Sequence, residues 1–163
     1  MDNSTIIRLS SNNNKIFEVP YTIVKQSVTL KNMFDDIGNA SPDSVIPLST
    51  ITEPILEKVI QYCDHHQNDV PTTKLQDAEN IDAWDAEFIG NPPNQSLLFD
   101  LILVANFLDI KSLLDLACKT VANLIKGKTV EEIRCIFGIT NDFTPEEEEQ
   151  IRKENEWCDE KLN

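Results

Sequence analysis

Ser96-Leu-Leu-Phe-Asp-Leu-Ile-Leu-Val-Ala-Asn-Phe-Leu108, followed at once by Asp109-Ile-Lys-Ser-Leu-Leu-Asp-Leu-Ala-Cys-Lys-Thr-Val-Ala-Asn-Leu-Ile125, decides the fold. Its first half is apolar on every side, with Leu97, Leu98, Phe99, Leu101, Ile102, Leu103, Val104, Phe107 and Leu108. A helix of that kind is either a core helix or a membrane span. About a dozen residues fall well short of the ~20 that a bilayer requires, so a central helix buried all round is expected. Asp109 offers an N-cap for a second helix. There Ile110, Leu113, Ala117 and Leu124 form one stripe, and Leu114, Cys118, Val121 and Ile125 form another, offset by one residue. One stripe can face the core helix. The other asks for a different partner, unless a single wide stripe is buried within one domain.

The 163 residues allow one domain, or one domain with an extension, and enough apolar content (40%) for a sizeable core. A net charge of −14 repels phosphate backbones and anionic lipid, which argues against nucleic-acid or membrane partners. The cysteines, Cys63, Cys118, Cys135 and Cys158, include no C-x-x-C pair. Three of them fall among apolar residues of expected helices, as buried reduced thiols do. No basic segment followed by an apolar run opens the chain, so a signal peptide is not expected and an intracellular protein is.

Upstream of the central stretch, Thr5–Leu9 and Lys15–Val19 are rich in β-formers and flank the turn cluster Ser10–Asn14, which predicts a hairpin closed by Pro20. Ser27 reads as the N-cap of a helix bearing Leu30, Met33, Phe34 and Ile37, with Gly38 as its stop and a loop to Ser44. Val45–Leu48 suits an edge strand, where Pro47 is tolerated. Thr52 and Pro54 open a helix burying Ile55, Leu56, Val59, Ile60 and Cys63, ending near His65-His66. Gln67–Asn80 is polar and aperiodic, a flexible loop. Ile81–Ile89 forms a short amphipathic helix with Trp84 and Phe88, closed by Gly90.

Downstream the chain changes character. Gly127 ends the long helix. Thr129-Val-Glu-Glu132 and Thr144-Pro-Glu-Glu147 are capping boxes, the first opening a helix with Val130, Ile133, Ile136 and Phe137, the second with Pro145 at its first position. Phe143 stands where a hydrophobic staple would. Glu146–Glu149 lies at the positive end of the helix dipole, which explains the acidic run without metal or acid–base chemistry. The last helix offers only Ile151, Trp157 and Cys158, with Leu162 beyond. So little apolar area cannot hold a helix to its own domain, and a large aromatic there suits an interface anchor. The residues describe a binding module whose helical layer another protein completes.

The chain resembles the S-phase kinase-associated protein family, the small adaptor of cullin-based (SCF) ubiquitin ligases. The similarity rests on Leu101-Ile-Leu-Val-Ala-Asn-Phe-Leu-Asp-Ile-Lys111, Cys118–Asn123, Ile125–Lys128, Glu131–Arg134, Asn141-Asp-Phe-Thr-Pro-Glu-Glu-Glu148 and Glu154–Cys158. Upstream, Ile16–Val19, Lys25–Thr29, Val59–Cys63 and Ala83–Asp85 also match, so it runs the length of the chain. It implies an α/β, mostly α, fold: a BTB/POZ-like domain over residues 1–126, a small sheet wrapped by helices. Helices 127–163 follow and, with helix 110–126, form the F-box surface. It implies a non-catalytic adaptor that bridges a cullin, and through it a RING protein and a ubiquitin-conjugating enzyme, to substrate-selecting F-box proteins, in cytoplasm and nucleus. Asn106 and Phe107 match the Asn–aromatic pair presented to the cullin, Phe standing where Tyr is usual. The F-box contacts fall on Leu114, Cys118, Val121, Ile125, Ile133, Ile136, Phe137, Ile139, Phe143, Ile151 and Trp157. Val130 replaces a usual Pro and Gly138 a usual Asn. Pro145 matches a proline that some protist relatives hydroxylate and glycosylate, although a plain helix-start role accounts for it.

An enzyme fits poorly. His65 and His66 are adjacent on an expected helix end, with side chains pointing apart; with Cys63 they make at most a partial metal site lacking a fourth ligand. The four glycines form no phosphate loop, and no Ser or Cys is placed with His as a nucleophile. Neither a cofactor nor a metal is expected. The alternatives are a scaffold for F-box complexes outside ubiquitination, or an elongin C-like adaptor, which lacks the extension ending here in Trp157.

Overall fold

The computed structural model describes residues 5–37, 44–69, 81–90 and 92–159, with side chains as far as residue 156. The Gly38 stop, the loop after it as far as residue 43, most of the 67–80 loop, Leu162 and the side chains of Trp157 and Cys158 lie outside the described residues. The chain divides into two compact units, Met1–Leu124 and Ile125–Asn163.

In the first unit, alternation of apolar and polar residues builds a three-stranded sheet ordered β2-β1-β3. Strand β1 (Ile6–Ser10) pairs antiparallel with β2 (Ile16–Pro20), Ile7 opposite Val19 and Leu9 opposite Phe17. It pairs parallel with β3 (Val45–Pro47), Leu9 opposite Ile46. Ile7, Leu9, Val19 and Ile46 are buried, whereas Arg8 and Glu18, directly opposite on the outer face, form an exposed ion pair of 3.1 Å. Pro47 sits on the edge strand, as expected. Pro20 does more than stop β2: its extended backbone caps a short helix that the sequence reading missed, α1 (Tyr21–Val24), which buries Ile23 and Val24. Four residues carry too little periodicity to announce a helix.

Helix α2 (Val28–Ile37) is capped by Ser27, whose hydroxyl accepts from the Leu30 amide at 3.0 Å. Helix α3 (Glu53–His65) buries Ile55, Leu56, Val59, Tyr62 and Cys63, with Ile60 only partly covered. Helix α4 (Ala83–Ile89) buries Phe88 and Ile89 and ends at Gly90, whose φ of 100° suits a residue without Cβ. Helix α5 (Gln95–Leu108) is capped by the Asn94 side chain, and α6 (Lys111–Ile125) follows it. One hydrophobic core joins the inner face of the sheet, against which α1 and α2 pack, to the buried residues of α3, α5 and α6, and Leu56, Leu98, Leu101, Leu108 and Leu113 are fully enclosed.

Four expectations are corrected here. Helix α5 is not buried all round: Leu98, Leu101, Ala105 and Leu108 face the core, but Phe99, Leu103 and Phe107 are 43, 68 and 46% exposed. Asp109 is not the N-cap of α6. Its left-handed backbone (φ 51°) closes α5, with the Ile110 amide donating back to the Ala105 carbonyl and the Asp109 amide to Asn106, while Ile110 accepts the first bond of α6 from Leu114. Aspartate tolerates that conformation better than most side chains. Cys118 and Cys135 are exposed free thiols, and only Cys63 of the described three is buried. His65 and His66 do not point apart. At the C-terminal end of α3 their rings meet edge to face at 4.9 Å, and both pack on Trp84, His65 stacked at 3.8 Å.

In the second unit, α7 (Val130–Phe137) starts at a complete capping box: Thr129 Oγ1 accepts from the Glu132 amide and the Thr129 amide donates to Glu132. Gly138, at φ 63°, closes it. Helix α8 (Pro145–Asp159) starts at the second box, between Thr144 and Glu147. The Phe143 staple does not form. Phe143 stays 47% exposed, and the position a staple needs on α8 is the charged Glu148.

Candidate partner-docking surfaces

The first candidate surface lies on α5. Asn106 is exposed beside Phe107, and Phe99 and Leu103 precede Phe107 at four-residue spacing, so the three apolar side chains line one stripe. The backbone beneath is held by α2. Thr29 Oγ1 donates to the Phe107 carbonyl at 2.9 Å, the Ser27 hydroxyl donates to the Leu108 carbonyl, and the Val28 amide donates to the Asp109 carbonyl at 3.4 Å. The orphan carbonyls of one helix end are thus satisfied by the start of another, and the two dipoles meet with opposite sign. Such an arrangement fixes the backbone that carries the two exposed side chains. Phe99 and Leu103 were missed as surface residues because an apolar exposed face and an apolar buried face look alike in sequence.

The second set of residues is divided between the units. On α6, the core stripe is Leu113, Leu116, Ala117 and Thr120, with Ile110 buried just before the helix and Leu124 only partly covered; the threonine, unforeseen there, is accommodated because its hydroxyl donates to the Leu116 carbonyl at 2.9 Å. Leu114 and Val121 are half-buried at its margin, Cys118 is exposed, and Ile125 is exposed at the start of the second unit. In the second unit Ile133, Ile136 and Phe137 share one face of α7 and are half-buried, while Ile139, Phe143 and Ile151 are exposed. None of the described residues from 125 to 156 is buried. Pro145 is exposed at the first position of α8. Trp157 belongs to α8, its side chain outside the described residues.

Chemistry at other positions is muted. Burial pushes the Cys63 thiol up to about 12 and the Tyr62 hydroxyl up to about 12, so both stay protonated at neutral pH. His66 bonds Asp69 through Nδ1 and Asp85 through Nε2, the latter at 2.9 Å, which commits both ring nitrogens. Among the described residues, no three or more His, Cys, Asp or Glu side chains are grouped so as to hold a metal ion.

Two family models match the chain: the Skp1 family tetramerisation domain over residues 5–68 and the Skp1 family dimerisation domain over residues 111–158. The SCF ubiquitin ligase complex protein SKP1a of Dictyostelium discoideum is 53% identical over 163 aligned residues, which cover 96% of this chain and 98% of the relative. The chain belongs to the Skp1 family. The SKP1b protein of the same organism is 52% identical, with 96% and 98% covered, and a Skp1-related protein of Caenorhabditis elegans is 50% identical, with 94% and 91% covered. The helix-wrapped sheet of the first unit is accordingly a BTB/POZ-like fold. The Skp1 family segments divide the two candidate surfaces unequally. Leu114 to Trp157 fall inside the second segment, whereas Asn106 and Phe107 lie between the two segments.

Proposed function

We propose that this chain is the non-catalytic adaptor of an SCF-type ubiquitin ligase, joining a cullin to F-box proteins. One observation carries the proposal: a C-terminal unit whose two helices both start at closed capping boxes, yet whose described residues bury no side chain. Capping specifies the helices locally, and a hydrophobic interior, which gives helices most of their stability, is what the unit lacks. An F-box segment packing on Ile133, Ile136, Phe137, Ile139, Phe143 and Ile151, with Ile125 and Trp157 of the same unit, would supply it; in the first unit, Leu114, Cys118 and Val121 are the F-box contacts proposed on α6. The α5 stripe is the counterpart for the cullin: Asn106 supplies a polar amide beside Phe107, at the C-terminal end of the stripe that Phe99 and Leu103 begin. Phenylalanine at 107 keeps the apolar contact and forgoes the hydroxyl bond that tyrosine makes.

In this reading the adaptor acts by proximity. The cullin brings a RING protein and a charged ubiquitin-conjugating enzyme, the F-box protein brings a substrate, and tethering raises the local concentration of substrate lysines at the thioester. The test is a bridging assay with a purified cullin N-terminal domain and a tagged F-box protein. The cullin should be retained on the F-box protein only when this chain is added. Excess chain should lower retention again, because each partner then fills a separate copy. Retention without the chain, or none with it, would overturn the proposal.

A further inference from the structure

We propose that Glu148 is the positioning residue of the C-terminal unit, a brace that sets α7 against the start of α8 before an F-box segment arrives; this rests on the F-box reading above. A single oxygen, Glu148 Oε1, accepts from Arg134 Nη1 of α7 at 3.2 Å and from Asn141 Nδ2 of the connecting segment at 3.0 Å. The side-chain Oδ1 of Asn141 in turn accepts from the Phe143 backbone amide at 3.1 Å. The segment between the helices is therefore tied at both ends and in its middle, since the Ile139 amide also returns to the Arg134 carbonyl at 2.9 Å.

The acidic run is a division of labour. Glu147 closes the cap of Thr144, Glu149 pairs with Arg152 and Lys153 on its own helix, and Glu148 alone of these three reaches back to α7. Those other pairs are well exposed and of the kind that contributes little. Arg134 differs, with a side chain only 17% exposed in a unit whose described residues include no buried one. Polar bonds thus do here what an apolar core does elsewhere, and they hold Ile133, Ile136 and Phe137 on one side of the link and Phe143 on the other in a fixed relation. Pre-ordering of this kind shows in the association rate, because the free chain no longer has to find the bound geometry.

The experiment is a double-mutant cycle in the full chain, Arg134→Gln, Glu148→Gln and both together, with a purified F-box domain that binds the unsubstituted chain. Each single substitution should slow association about fivefold with dissociation little changed, and the double should be no slower than either single. Free in solution, Glu148→Gln should also shift the Asn141 side-chain amide resonance. Unchanged association rates, additive losses, or a loss confined to dissociation would overturn the brace. Failure of the unsubstituted chain to bind any F-box domain would instead remove the F-box reading, while an unmoved Asn141 resonance would still refute the brace itself.

Discussion

Ser27 is fully enclosed, yet its hydroxyl is bonded twice, accepting from the Leu30 amide and donating to the Leu108 carbonyl. Ser27→Ala removes the cap of α2 and leaves a buried carbonyl at the end of α5 without that donor. The expected loss is ~1–3 kcal/mol of unfolding free energy in a denaturant titration; a loss within a few tenths would mean water replaces the hydroxyl. Immediately before Leu108, Asn106 and Phe107 test the opposite case, since both are exposed and neither belongs to the buried core. Asn106→Ala with Phe107→Ala should therefore leave the thermal midpoint nearly unmoved and F-box capture intact, while retention on an immobilised cullin N-terminal domain disappears. Loss of both interactions together would show that the pair only supports the fold.

At the scale of elements, α4 is joined to α3 by an aromatic cluster around His66. Tyr62, His65, His66, Trp84 and Phe88 pack ring on ring, and Lys58 lies 4.9 Å above the Phe88 ring. Burial pulls the His66 pKa down, but its bonds to Asp69 and Asp85 outweigh that and leave it above the ordinary 6.5. A group whose pKa is higher folded than unfolded lends its stability in full below the unfolded value and loses it as pH climbs through the folded one. The advantage of the unsubstituted chain over His66→Asn should be largest below pH 6.5 and shrink above it. Trp84 emission in a Trp157→Phe background reports the transition, and an advantage that grows with pH would refute the account. Elements of this kind were partly legible. Both capping boxes, the Ser27 cap, the hairpin and the edge strand follow from residue types that bond their own backbone. Asp109 was misread because aspartate suits an N-cap and a left-handed C-cap alike, and only the Ile110 amide returning to Ala105 tells the two apart. Helix α1 is too short to show a period, and the histidine rings are placed by Trp84 from another helix. The exposed side of α5 failed too, since period alone cannot tell a partner's core from the chain's own.

Across the whole molecule, the two units differ in what stabilises them. Residues 5–124 enclose a core in which Leu56, Leu98, Leu101, Leu108 and Leu113 are sealed from solvent, whereas the described residues of 125–156 enclose none. Amide exchange reports the local free energy of opening, which follows buried apolar contact and falls toward zero where there is none. Amides of α3, α5 and the first three turns of α6 should therefore exchange only through global unfolding. Those of α7 and α8 should exchange orders of magnitude faster, even though their caps and the Glu148 brace keep them helical most of the time. Adding an F-box domain changes the second class and not the first, because it covers apolar surface only where the chain leaves it uncovered. Protection of residues 130–156 should then rise toward the level of α5, with the gain following occupancy of the complex. If α7 and α8 were as protected in the free chain as α5, their apolar faces would already have found a partner within the polypeptide, and the chain would have no unfinished interior to offer.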